Sequence, residues 1–121
     1  MSMSMFFQRN GDGLTLWNPA LRVGQVFHAY VRAVEKAIEA DSGMSEEGIS
    51  DEVAVDSGAL QAFVLSLSEQ IKTSNHTVLI LELEPVLLIC AALLLRSEGS
   101  SAVVPADVKE RATALLASMP V

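Results

Sequence analysis

From Val78 to Leu95 the chain reads VLILELEPVLLICAALLL, and the only charged or polar side chains in that run are the carboxylates Glu82 and Glu84, set just ahead of Pro85. A segment this apolar has two stable homes: a bilayer, or the centre of a fold that covers it on every side. A spanning helix needs about 20 predominantly apolar residues, and a carboxylate near the bilayer centre costs roughly 2.5–3.5 kcal/mol. Two carboxylates and a proline leave Pro85–Leu95 as the clean stretch, which is too short to span. Only Arg96 stands at its edge, where an orienting basic cluster would belong. The run is therefore expected to be a core element, with no membrane as partner. The start, MSMSMFFQRNGDG, lacks the basic end and long apolar stretch of a signal peptide, so the expected location is cytoplasmic.

A chain of 121 residues, half of them hydrophobic and 19% charged, is long enough to bury one sizeable core as a single domain, 1–121. Cys90 is its one cysteine, which excludes an internal disulfide; its place in the apolar run marks a buried small hydrophobe. The net charge of −7 argues against nucleic acid, whose phosphates are bound by clustered Lys and Arg. The acids are also unevenly spread. Between Lys36 and Lys72 there is no basic residue, while Glu39, Asp41, Glu46, Glu47, Asp51, Glu52, Asp56 and Glu69 all fall there.

Local signals predict a mainly α fold with a small β element: three or four helices and an N-terminal β-hairpin over residues 1–17. Met5–Gln8 and Leu14–Trp17 are strand-like runs separated by Asn-Gly and Asp-Gly, which supply the positive φ that tight turns require. Asn18 as N-cap and Pro19 at the first helical position open a helix to about Ala40. Its apolar stripe is Val23, Phe27, Tyr30, Val34 and Ile38, widened by Val26, Val31 and Ala37. An acidic loop, 41–56, follows, with Glu52–Val55 able to form a short strand against the hairpin. Asp56 or Ser57 then caps a second helix whose stripe is Leu60, Phe63, Val64, Leu67 and Ile71.

The segment 78–84 alternates as a strand would, but no turn chemistry separates it from the residues after Pro85. A single helix from about His76 to Arg96, bent at Pro85 and central in the bundle, is the preferred reading. Gly99 ends it, and a last helix over Pro105–Ser118 buries Val108, Ala112, Leu115 and Met119. Trp17, between strand and helix, is expected to pin the hairpin to the bundle.

No nucleophile elbow, phosphate loop or dinucleotide fingerprint occurs, and His28, His76 and Cys90 have no metal-ligand spacing. No cofactor is expected, and the acidic loop lacks a calcium loop's ligand spacing. If the protein is a small helical ligand-binding protein or enzyme with a pocket carboxylate, as of a secondary-metabolite pathway, Glu82 or Glu84 is the acid/base and His28 or His76 its partner, since a carboxylate desolvated in the core is raised toward neutrality. The competing expectation, and the leading one, is a non-enzymatic interaction protein such as an immunity-type or regulatory inhibitor. Asp41, Glu46, Glu47, Asp51 and Glu52 would then steer a basic protein partner. Should the helices leave part of the apolar surface uncovered, a homodimer is the natural outcome.

One further pattern is visible. A short Phe-containing strand precedes Thr15-Leu16-Trp17-Asn18-Pro19. After the acidic loop comes Val55-Asp56-Ser57-Gly58-Ala59-Leu60-Gln61-Ala62-Phe63-Val64, and His76-Thr77-Val78-Leu79 enters the apolar helix. In these segments the chain resembles a family of small actinobacterial proteins, domain of unknown function 6086. The resemblance spans roughly residues 5–95, leaving the last helix as an addition, and Pro85 and the two glutamates depart from the pattern. It implies a shared fold and no particular activity.

Overall fold

The computed structural model describes residues 4–46 and 51–121. Strands β1 (Phe6–Arg9) and β2 (Thr15–Trp17) form the expected antiparallel hairpin. Gly11 and Gly13 supply the positive φ of its turn, and Asp12 accepts from the Leu14 amide and from the Arg9 guanidinium. That guanidinium holds the Asp12 carboxyl down to about 2.

The hairpin is only half of the sheet. Within the region read as an acidic loop, β3 (Met44–Glu46) and β4 (Glu52–Val55) pair antiparallel, and β4 lies parallel to β1. The order is β2-β1-β4-β3, a mixed four-stranded sheet in which Glu52–Val55 joins the hairpin as expected, while β3 corrects the reading of the rest of 41–56 as irregular loop. Two strands alone are marginal in water, so the ribbon gains a partner strand whose Val53 and Val55 are fully buried. Gly43 makes the return possible. Its φ is +79°, and a Cβ there would stand 2.6 Å from the Asp56 carbonyl, which itself faces the start of the next helix.

Helix α1 (Leu21–Ile38) starts later than the cap chemistry suggested. Residues 18–20 continue the β2 path: the Pro19 carbonyl accepts from Met5, Ala20 bridges Ser4, and the Asn18 amide donates to Pro120. Ala20 is the N-cap, without a side-chain bond, and Asn18 caps nothing. The buried stripe is also turned from the expected one, to Gly24, Phe27, His28, Val31 and Val34. Gly24 lets the helix close on the Met5 side chain. Val23 and Val26 are left 53% and 62% exposed, and Tyr30 borders solvent. α1 is apolar on two sides, and burial against the sheet selects the side that carries the glycine and the histidine.

Helix α2 (Ser57–Thr73) is capped by Asp56, whose carboxylate accepts from the Gly58 and Ala59 amides, and it buries Leu60, Phe63, Val64 and Leu67. Helix α3 (Thr77–Glu98) is one continuous helix through Pro85, so 78–84 is helical and no strand. It packs against α1, α2, α4 (Ala106–Leu115) and β2. By length and composition it is the one helix among the described residues long enough and apolar enough to cross a membrane, and 44% of its apolar window is buried within the fold. Its second half, Val86–Leu94, is almost wholly enclosed, whereas Val78 and Leu81 in its first half are 59% and 64% exposed. The helix is central over half its length, a narrower role than uniform apolarity implied.

Helix α4 and the following 3₁₀ turn, Leu116–Ser118, bury Val108, Ala112 and Met119 against α3. Arg96 of α3 donates to the carbonyls of Leu16, Met119 and Leu116 at 2.7, 2.8 and 3.1 Å, tying β2, α3 and the C-terminal segment together. The result is an α+β architecture of four helices and one mixed sheet. At its centre the Phe7, Trp17 and Phe27 rings meet pairwise, with centroids 5.2–5.7 Å apart. Trp17 pins the hairpin to the helices, as its position suggested.

Candidate functional site

The carboxylates of α3 do not converge with the histidines. Glu82 is exposed, and Glu84 is half-buried with its carboxylate 3.1 Å from the exposed Arg111 of α4. His76 is the N-cap of α3, its Nδ1 accepting from the Leu79 amide at 3.3 Å. That bond ties Nδ1 to the helix terminus and leaves Nε2 free, but no ion pair joins the ring to a carboxylate among the described residues. The expected pairing of Glu82 or Glu84 with His28 or His76 is therefore absent from the geometry.

His28 is found elsewhere, in the core at 4% exposure, with Nδ1 3.1 Å from a carboxylate oxygen of Glu46 on β3. The register explains the meeting. Glu46 pairs with Val53, and Met44 with Val55, so all four share the face turned toward the helices. Nε2 of His28 is buried and has no hydrogen-bond partner. The neutral ring with its proton on Nδ1 donates to Glu46 and leaves Nε2 a bare acceptor; protonation would put an unpaired N–H in the core. Burial holds the imidazole below its ordinary value and Arg32 adds to this, while Glu46 and Glu35 act the other way.

Beside it stands an electrostatic brace that the sequence did not single out. Glu35 accepts from the Ser42 amide and hydroxyl at 2.8 and 2.7 Å and from Arg32 at 2.7 Å, and Arg32 donates onward to the Met44 carbonyl. Burial pulls the Glu35 carboxyl upward, but the two Ser42 bonds and Arg32 outweigh it and hold it below its ordinary value. A signal was present in the Arg32–Glu35 spacing; what was invisible is the turn that brings Ser42 back to them.

The acidic set is distributed over the β3–β4 hairpin. Asp41 is exposed and accepts from the Gly43 amide, Glu46 is 66% exposed at its side chain, and Asp51 and Glu52 are half-buried at the entry to β4. Glu47 lies outside the described residues. None of Asp41, Glu46, Asp51 or Glu52 meets a Lys or Arg among the described residues. No group of three or more His, Cys, Asp and Glu side chains among the described residues is arranged to hold a metal ion.

Between α1 and α3 run two open apolar clefts, one on each side of Tyr30. One, of about 460 Å³, is lined by Trp17, Val23, Val26, Phe27, Pro85 and Ile89 with Arg22 at its rim; the other, of about 530 Å³, by Val26, Ala33, Ala37, Leu79 and Glu82. Tyr30 separates them, its hydroxyl donating to the Glu82 carbonyl at 2.6 Å, three residues before the proline. Periodicity identified these apolar residues but assigned Val23, Val26 and Tyr30 to the core.

The fold is thus an α+β architecture that carries an acidic edge hairpin and an open apolar helix face. The chain belongs to a family of unknown function, DUF6086, whose model matches residues 3–121. The match runs through α4, so the C-terminal helix belongs to the family's fold and is no addition to it. No curated protein and no solved structure matches the chain.

Proposed function

We propose that this is a non-enzymatic interaction protein, an immunity-type or regulatory inhibitor, that presents the β3–β4 hairpin to a basic protein partner. The observation that carries the reading is the unneutralised carboxylate set Asp41, Glu46, Asp51 and Glu52 on a hairpin whose strand β3 is a sheet edge. Carboxylates held at an edge and unpaired with any Lys or Arg among the described residues produce a negative field, which raises the association rate of a basic partner and favours its correct orientation. Against the rival reading, a ligand-binding protein or enzyme with a pocket carboxylate, stand the exposure of Glu82 and the pairing of Glu84 with Arg111.

The test begins with the partner that co-purifies with the tagged protein at low salt. Replacing Glu46, Glu47, Asp51 and Glu52 together by glutamine is expected to weaken its binding at least tenfold and to flatten the dependence of Kd on salt. Glutamine at 46 still offers an acceptor to His28, so the fold is spared. Unchanged affinity in the quadruple variant would remove the hairpin as the docking surface.

A further inference from the structure

Helix α1 carries a second apolar stripe that the described residues leave largely open: Val23, Val26, Tyr30, Ala33 and Ala37, spaced three, four, three and four, with only the Tyr30 hydroxyl engaged by α3. This is the 3.5-residue repeat of a helix–helix seam, and it lies on the side of α1 away from His28 and the acidic hairpin. We propose that it is a homodimer interface, in which α1 packs antiparallel on α1 of a second copy about a two-fold axis at Tyr30.

Size complementarity names the occupant. An antiparallel pairing centred on Tyr30 sets Val23 of one copy level with Ala37 of the other, and Val26 within one residue of Ala33, so large meets small on either side of the central Tyr30 pair. A parallel pairing would put valine on valine at one end and alanine on alanine at the other, overfilling one and emptying the other. The available area also fits. With Leu79 of α3, which shares a cleft with the stripe, the exposed apolar surface is on the order of 400 Å², and with a polar rim it approaches the ~800 Å² per partner of a standard interface, little more than half of which is apolar. Arg22 and Lys36 flank the seam at this rim, where like charges in solvent cost little at physiological salt. The dimer leaves both β3–β4 hairpins free, so its existence and the function proposed above stand or fall separately.

Two measurements test it. Sedimentation analysis of the full chain over a range of micromolar concentrations is expected to show a monomer–dimer equilibrium, and Val26→Glu to raise the dissociation constant on the order of 100-fold by placing a carboxylate at two symmetric buried positions. Val26 is exposed in the single chain, so the variant keeps its circular dichroism spectrum. The register is read by the double variant Val23→Cys, Ala37→Cys under mild oxidation. These positions are about 21 Å apart on one helix, so a disulfide between them forms only between copies. Cys90 is buried and does not compete. A monomer at every concentration, alone or with a co-purified apolar small molecule in the cleft, would overturn the proposal. So would a dimer indifferent to Val26→Glu, or one that dissociates in that variant but yields no 23–37 cross-link in the double cysteine chain.

Discussion

His28 and Glu35 are two titratable residues on the same side of α1, both held below their ordinary values, and both make stability fall with pH, in different pH windows. The folded state holds the His28 imidazole below its unfolded value, chiefly by burial. Below the unfolded value, near 6.5, the unfolded chain therefore binds the proton that the folded chain refuses, and stability falls as pH falls. Melting between pH 7 and 5.5 should show this loss, and His28→Gln should remove it, since the amide keeps a donor toward Glu46 and does not titrate; an unchanged slope in the variant would contradict the assignment. Glu35 is held below its ordinary value, so its contribution is present at neutral pH and disappears only in stronger acid. Glu35→Gln exchanges an anionic acceptor for a neutral one before Ser42 and Arg32 and is expected to cost about 1–3 kcal/mol in urea unfolding at pH 7.

At the scale of elements, the joints matter more than the helices they join. Amphipathic helices are placed by whatever satisfies the polar groups at their contacts, and Arg96 satisfies three carbonyls from two separate segments. Arg96→Lys keeps the charge but loses the planar fork, so it cannot bond Leu16, Met119 and Leu116 together. The expected cost is about 2–3 kcal/mol, measured as a shift in urea midpoint with unchanged slope. A change below about 0.5 kcal/mol would mean that water replaces the arginine without loss. Pro85 acts at the same scale. It removes one backbone bond from α3 at the level where Tyr30 reaches the Glu82 carbonyl, and there the enclosed half of the helix gives way to the exposed half.

For the molecule as a whole, the C-terminal segment closes the fold. α4 covers α3 with Val108 and Ala112, Met119 is buried, and the Pro120 carbonyl accepts from Asn18 at the junction of β2 and α1. Removing residues 105–121 strips an apolar flank from the most hydrophobic helix and leaves Arg96 without two of its carbonyls. A chain ending at residue 104 is expected to lose its cooperative thermal transition and to bind a hydrophobic dye, and a truncated chain that melts cooperatively would show the segment to be dispensable.

The sequence alone determined whatever depends on neighbours in the chain. The Asn-Gly and Asp-Gly turn, a cap at Asp56 or Ser57, the stripe of α2 and the presence of three or four helices follow from local backbone and side-chain chemistry. The family resemblance likewise rested on contiguous segments. Tertiary structure decided whatever depends on which surface meets which. Glu52–Val55 was legible as a strand for the hairpin, but its parallel direction on β1 and the added edge strand β3 were not, because a short strand has no preferred direction or second partner until edges with matching burial are offered. α1 is apolar on two sides, and only the sheet, the room made by Gly24 and the Glu46 contact select the side holding His28. Glu82 and Glu84 took their surroundings from α1 and α4. Periodicity states how much of a helix is apolar, but burial is a property of pairs of surfaces, and one of those surfaces lies far away in the chain.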